Sequence, residues 1–109
     1  MTVTKLERDD KVAVVYSPGY GAGWSTWNPD HAELLLFDSE IAQAVIDGDT
    51  ARAAEIATAK TEAAGSEAYT GGADQLQVAW FCKGTRFRIN EFDGSESIVL
   101  LDRDSCHVV

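Results

Sequence analysis

Two short glycine turns in the last third of the chain constrain its fold more than any other feature. The strand-like runs QLQVAWF, TRFRINEF and SIVLL are separated by Lys83-Gly84 and by Asp93-Gly94. Asp-Gly in a two-residue loop is a strong signal for a β-hairpin, and Lys-Gly is a weaker one. The pattern therefore predicts a three-stranded antiparallel meander.

Two-residue loops would also decide which side chains share each face of the meander, because side chains alternate along a strand. One face would be apolar and would belong to the core, with Trp80 opposite Phe87 and Val78 opposite Ile89, next to Leu100 and Ile98. The other face would carry aromatic, arginine, amide and aliphatic side chains: Gln77, Phe81, Arg86, Arg88, Asn90, Val99 and Leu101, with Arg103 just beyond.

The arginines on this second face are unexpected in a chain whose formal net charge is −9. Arginine suits planar, bidentate contact with phosphate, so one interpretation is a binding face for an anionic ligand. In the other interpretation the arginines pair with carboxylates, or pack beneath a helix or a second subunit. The sequence leaves both interpretations open.

The first part of the chain predicts one buried strand. Residues 11–16, KVAVVY, form a continuous β-branched run, which is typical of a strand buried on both faces. A short strand is expected before it, over residues 2–7.

The middle of the chain predicts two helices. Asp38 or Ser39 would cap the first helix, and Gly48 would end it. Thr50 would cap the second helix, and Gly65 lies past its end. Together these elements predict a single α+β domain over residues 1–109, in which an antiparallel sheet accompanies two helices.

The stretch SPGYGAGWSTWN, residues 17–28, is the strongest candidate for a binding site, and we call it the glycine–tryptophan loop. Alternating glycines expose backbone N–H groups, which bind anions in phosphate-binding loops. Ser25 and Thr26 would add hydroxyl donors, and Tyr20, Trp24 or Trp27 would stack on a base. The alternative is a structural turn or a subunit contact with tryptophans in the core. The spacing matches neither a Rossmann fingerprint nor a P-loop.

Charge and composition exclude several classes of protein. A net charge of −9 argues against a general nucleic-acid binder and against adhesion to anionic membranes. The apolar runs are too short to span a membrane, and the charged N-terminus has no signal-peptide pattern, so we expect a cytoplasmic protein. Cys82 and Cys106 would then be free thiols, and no zinc site is expected.

No catalytic set is visible either. The chain lacks a GxSxG motif, and His31 lies alone in a polar connecting segment. We therefore predict neither catalytic residues nor a metal or cofactor, and we do not expect an enzyme.

The stretch VVYSPGYGAGWSTWN resembles a set of small phage proteins, the anti-Thoeris sponge family of the first described type. The resemblance implies a strand, the glycine–tryptophan loop, two helices and a β-rich C-terminal part. It also implies binding of cyclic ADP-ribose-type signals, made by bacterial TIR-domain enzymes, without degrading them. Some members of that family bind cyclic oligonucleotides, and members assemble as dimers or larger symmetric oligomers.

The resemblance and the residues lead to one expected function. Amides of residues 21–24 would bind phosphate oxygens, a ring would stack on adenine, and arginines would neutralise charge. The candidate ligand-binding residues are Tyr20, Gly21, Gly23, Trp24, Ser25, Thr26, Phe81, Arg86, Arg88, Asn90 and Arg103. We expect a homo-oligomeric sponge for a nucleotide signal in the cytoplasm of an infected bacterium. The alternative is an acidic inhibitor that covers a basic surface on a host nuclease or effector.

Overall fold

The computed structural model describes residues 3–19 and 23–101, which form antiparallel strands and helices in the predicted α+β class. The strands are β1 (Glu7–Arg8), β2 (Lys11–Tyr16), β3 (Gln77–Cys82), β4 (Phe87–Phe92) and β5 (Ser95–Leu100). The helices are α1 (Ala32–Phe37), α2 (Ser39–Ile46) and α3 (Thr50–Ala63). Short 3-10 turns cover Ser25–Trp27, Pro29–His31 and Ala73–Gln75. None of the helices in the described ranges is both long and apolar enough to span a bilayer.

The N-terminal strands form a hairpin at the edge of a sheet. Asp9 and Asp10 both have positive φ, 50° and 65°, which fits a tight turn between β1 and β2. The predicted strand over residues 2–7 is therefore displaced to Glu7–Arg8. The prediction for residues 11–16 is confirmed, because three consecutive residues of β2 are at most 1% exposed: Ala13, Val14 and Val15.

The predicted three-stranded meander is wrong. β3 pairs antiparallel with β2, so the order is β1-β2-β3, while β4 and β5 form a separate two-stranded sheet. Trp80 consequently lies opposite Ala13, and not opposite Phe87. The cause is burial: β2 is the most buried strand, and pairing with it packs Val78 and Trp80 against the core.

The hairpin formed by β4 and β5 has the predicted register. Phe87 pairs with Leu100 and Ile89 pairs with Ile98. Asp93 and Gly94 have φ values of 52° and 86°, as a two-residue hairpin turn requires. Leu100 was expected in the core but is 44% exposed, because the hairpin does not continue the main sheet.

The first predicted helix corresponds to α2. The Asp38 carboxylate accepts a hydrogen bond from the Ile41 N–H at 3.1 Å, which confirms the predicted cap. Gly48 follows the helix with a φ of +79°, as expected of a glycine that ends a helix. The sequence did not predict α1, a short helix that ends immediately before Asp38.

The second predicted helix corresponds to α3. Asp49, and not Thr50, is its cap: the Asp49 carboxylate accepts from the Arg52 N–H at 3.0 Å. The carboxylate is an equally good cap one residue earlier, so Thr50 becomes the first helical residue. Gly65 lies past the end of the helix with a φ of +118°, as predicted.

The core lies between β2, α1, α2 and α3, and many of its residues are small. Its buried members include Ala13, Val15, Trp24, Leu35, Ile41, Ala42, Ala44, Ala53, Ala57 and Leu76. Alanine on both α2 and α3 allows these helices to pack closely on each other, and α2 also packs on β2.

The prediction of a free thiol at Cys82 is wrong, because Cys82 is disulfide-bonded. That prediction depended only on the expected reducing compartment. Cys106 is the other cysteine of the chain, and it lies outside the described residues.

Candidate functional site

The carboxylate of Glu96 lies at the centre of the described part of the glycine–tryptophan loop. Glu96 is on β5, and it is only 1% exposed. Its Oε1 accepts from the Ser17 N–H at 2.9 Å. Its Oε2 accepts from the Trp24 N–H at 2.7 Å, the Thr26 N–H at 3.0 Å and the Thr26 hydroxyl at 2.6 Å. We call this carboxylate and its donors the Glu96 site.

Further hydrogen bonds join β5 to the start of the loop. The Glu96 N–H donates to the Ser17 carbonyl at 2.8 Å. The Ser95 hydroxyl donates to the Pro18 carbonyl at 2.6 Å. The hairpin and both described ends of the loop therefore form one hydrogen-bonded unit.

The loop amides do bind an anion, but the anion belongs to the same chain. The Trp24 N–H was expected to bind a ligand phosphate, and it donates to Glu96 instead. A carboxylate presents two acceptor oxygens to converging N–H groups much as a phosphate does. Tyr20 and Gly21, the other expected contributors at this point, lie outside the described residues.

Trp24 has a structural position that does not suit the expected stacking on a base. Its side chain is 0% exposed and belongs to the core. Its indole N–H donates to the Leu35 carbonyl at 2.9 Å, which satisfies the one polar atom of the ring. Ser25 is also buried, at 4% exposure. Both side chains thus face the interior and not a ligand.

In the described part of the loop, the exposed aromatic ring is instead that of Trp27, which stacks on Tyr69. The two ring centroids are 5.6 Å apart and the planes differ by 24°. Trp27 is 41% exposed and Tyr69 is 53% exposed, and we call these two rings the aromatic pair. Trp27 was one of the rings expected to stack on a base, but neither Trp27 nor Tyr69 was among the predicted ligand-binding residues. Tyr69 lies two residues before Gly71-Gly72, and this nearby pair of glycines was the only local signal for it.

A buried asparagine holds the aromatic pair in place. Asn28 is 8% exposed. Its side-chain amide donates to the Tyr69 carbonyl at 2.9 Å and to the Trp24 carbonyl at 2.8 Å. Its Oδ1 accepts from the Tyr69 N–H at 2.8 Å. The backbone of Tyr69 is thereby tied to the residue that follows Trp27.

Gly23 is needed at its position because of close contacts. A Cβ at Gly23 would lie 2.7 Å from the Thr26 hydroxyl oxygen and 2.7 Å from Cδ1 of Trp27. Any larger residue would therefore displace one of these side chains. Gly23 therefore belongs to the candidate site because its missing side chain leaves room for Thr26 and Trp27.

The arginines of the hairpin lie on the face opposite the Glu96 site. Glu96 and Ile98 share one face of β5, while Arg88 and Asn90 project from the other face of the hairpin. Arg86, Arg88 and Asn90 are all exposed. No carboxylate within residues 3–19 and 23–101 forms an ion pair with Arg86 or Arg88. Within one protomer, these arginines therefore do not lie on the same side of the hairpin as the backbone N–H groups of the glycine–tryptophan loop.

The remaining candidate residues are separated from the loop or fall outside the described ranges. Phe81 is half-buried and stacks on Phe87, with ring centroids 5.7 Å apart. The Phe87 ring also makes an edge contact with Phe37, at a centroid distance of 6.1 Å. Phe81 is therefore part of an aromatic cluster at the base of the hairpin. Arg103 lies outside the described residues.

Lys60 forms the most buried ion pair of the described chain. Its ammonium lies 2.7 Å from Asp38 and 3.0 Å from Glu40, beside a cleft of about 360 Å³. Burial by itself would lower the pKa of Lys60, but hydrogen bonds and attraction to the two carboxylates outweigh it and raise that pKa. Because Asp38 also caps α2, this cluster has a structural role.

Groups with catalytic or metal-binding potential are sparse. The Nε2 of His31 lies 3.0 Å from the Ser66 hydroxyl at an exposed position. Among the residues that the structure describes, no carboxylate hydrogen-bonds to His31, and no cluster of three metal-binding side chains is present. The described surface therefore offers the aromatic pair and an arginine face, which consists of Arg86, Arg88 and Asn90, and not an assembled catalytic triad.

No family model, curated protein or solved structure matches this chain.

Proposed function

We propose that this chain is a non-enzymatic protein that binds and sequesters a nucleotide signal, with the base stacked on the aromatic pair. The observation that carries the proposal is the exposed, stacked arrangement of Trp27 and Tyr69, which the buried Asn28 holds in place. Base–aromatic stacking contributes about 1–3 kcal/mol per base. Rings that are fixed before binding lose less entropy when the ligand arrives.

The phosphates of such a ligand require positive charge, and Arg86 and Arg88 are the candidates. Both are exposed and have no ion-pair partner among the described residues of a chain with a net charge of −9. They project from the hairpin face opposite the Glu96 site, so the proposal places them at the ligand from a second subunit. A homodimer or higher oligomer is thus part of the proposed function.

The proposed ligand is a cyclic nucleotide or an ADP-ribose-derived signal, the class implied by the resemblance to anti-Thoeris sponges. The proposed biological role is phage anti-defence in the cytoplasm of the infected bacterium. The disulfide at Cys82 is atypical of a reducing compartment. The redox state of Cys82 in infected cells therefore tests this location independently of ligand binding.

The deciding experiment is a thermal-shift titration with linear and cyclic adenine nucleotides, including cyclic ADP-ribose isomers. A ligand at 100 times its Kd stabilises the protein by about 2.7 kcal/mol, which raises the Tm of a domain this size by roughly 10 °C or more. Each stabilising compound is released by heat and analysed by mass spectrometry. A sponge returns the compound intact, whereas an enzyme returns it altered.

Two pairs of variants assign the site. Trp27→Ala should weaken binding about 5- to 150-fold, the equivalent of about 1–3 kcal/mol. Ile46→Ala is its control, because Ile46 is an exposed apolar side chain (38%) at the end of α2, outside the aromatic pair and the hairpin, and binding should be unchanged. Arg88→Ala should abolish the shift, while Arg52→Ala, at an exposed arginine on α3, should leave it intact.

Unchanged binding in Trp27→Ala would show that the aromatic pair does not contact the ligand. Binding that survives substitution of both Arg86 and Arg88 would show that these arginines do not bind its phosphates. If no compound shifts the Tm, the sponge proposal fails. The acidic-inhibitor interpretation would then be tested by whether association with a basic host protein weakens steeply with salt.

A further inference from the structure

Glu96 is a buried carboxylate that no cation neutralises among the described residues. Apart from the Lys60 pairs, the one ion pair there joins Lys83 to Glu7, so Glu96 takes part in none. A charge removed from water is costly unless strong hydrogen bonds replace its hydration. At Glu96 that replacement consists of three backbone N–H groups and one hydroxyl, at 2.6–3.0 Å.

The donors come from parts of the chain that are far from Glu96 in sequence. Ser17 is 79 residues away, Trp24 is 72 and Thr26 is 70. The carboxylate is the acceptor that these three residues have in common. Without it, the backbone N–H of the buried Trp24 would lose the acceptor that the structure shows for it, which is more costly than losing an exposed hydrogen bond.

We propose that these donors form a true carboxylate-binding site, occupied in the wild-type chain by its own Glu96. The same site should bind a free small carboxylate, such as formate or acetate, when the side chain at position 96 is shortened. Convergent N–H donors recognise the two oxygens and the charge, and not the chain to which the carboxylate is attached.

The geometry also makes Glu96 a positioning residue for the aromatic pair, an extension that rests on the proposed function. Thr26, which donates twice to Glu96, directly precedes Trp27. The Thr26 hydroxyl and the Trp27 ring both lie against the Gly23 backbone. Loss of the carboxylate should therefore disturb the orientation of Trp27 although Glu96 does not contact the proposed ligand.

The test is rescue of Glu96→Ala by sodium formate. Replacing Glu96 by alanine should lower the Tm by about 10–20 °C, since buried donors lose their acceptor. Formate should restore at least half of this loss with a saturable dependence on concentration. Sodium chloride at equal ionic strength and neutral formamide should not restore it.

Glu96→Gln is the matched control, because the amide fills the space but presents N–H groups to other N–H groups. Its Tm should also fall, and formate should not raise it. The wild-type Tm should not respond to formate either. An equal response to formate in all three proteins, or none in Glu96→Ala, would overturn the proposed site.

If Glu96→Ala does not fold alone, refolding is carried out with and without formate. Folding only in formate supports the site, and failure to fold in both conditions overturns it.

Where the wild type binds a nucleotide, Glu96→Ala should lose at least tenfold in affinity and formate should restore that affinity. Restored stability without restored affinity would overturn the positioning role alone. Because the formate experiment uses no nucleotide, its result tests the carboxylate-binding site whether or not the proposed function is correct.

Discussion

The helical core and the junction between loop and hairpin are stabilised in different ways. In the core, burial is distributed over many small residues of β2, α2 and α3. At the junction, four hydrogen bonds converge on the single carboxylate of Glu96. A distributed core tolerates the loss of one methyl group, whereas a convergent polar site loses several interactions with one substitution. The two regions should therefore differ most in their response to single changes.

Trp24 belongs to both regions and should show the largest effect. Its ring is fully buried in the core, and its backbone N–H donates to the Glu96 carboxylate. Trp24→Ala should destabilise the protein by about 3–5 kcal/mol, because a large cavity forms and the indole no longer donates to the Leu35 carbonyl. Urea unfolding followed by far-UV circular dichroism measures this. A loss below about 1 kcal/mol would show that the ring is not a core element.

Glu96→Gln isolates the junction from the core. We expect a loss of about 2–4 kcal/mol, because at least one N–H that donates to the carboxylate would face an amide NH₂. Glu55→Gln, at an exposed glutamate on α3, is the control and should stay within about 0.5 kcal/mol of wild type. Equal stability of the two variants would contradict the contrast between the regions.

Ala57→Leu tests the close packing of the core. Ala57 is 0% exposed on α3, so three additional carbon atoms have no space without movement of a packed neighbour such as α2. The expected loss is about 1–3 kcal/mol. Ala51→Leu, at an exposed position of the same helix, should be nearly neutral. An increase in stability in Ala57→Leu would show that the core around Ala57 is not closely packed.

The smallest expected effect is the pH dependence from Lys60. Its folded pKa is raised above the ordinary value of 10.5, because hydrogen bonds and attraction to Asp38 and Glu40 outweigh the burial that lowers it. The stabilisation is complete below pH 10.5 and is lost as the pH rises through the raised folded value. Since the side chain is 31% exposed, the contribution should be about 1 kcal/mol or less. Unfolding at pH 9–12 should show a decline that Lys60→Met lacks.

Local patterns predicted the elements that depend on neighbouring residues. Asp93-Gly94 constrains the register of β4 and β5, because a two-residue turn leaves few ways to pair the flanking strands. Asp38 and Gly48 mark the ends of α2, since caps act on the N–H and C=O groups of the adjacent turn. The buried strand KVAVVY was equally readable from its composition.

The candidate site was less predictable. Trp24 and Trp27 stand three positions apart in the same loop, yet one is 0% and the other 41% exposed. Nothing in their immediate sequence separates the core residue from the exposed one. The glycine–tryptophan loop was found from its composition, whereas the roles within it were not.

The sequence by itself determined the α+β class, the hairpin and the limits of α2, because these depend on interactions within a few residues. Only the tertiary structure decided that β3 pairs with β2, since burial against the core favours this pairing over a meander. It also decided the role of Glu96, which in SESIVL resembles any exposed strand glutamate. Its donors are 70–79 residues away, and such distant hydrogen bonds form only when the folded chain brings them together.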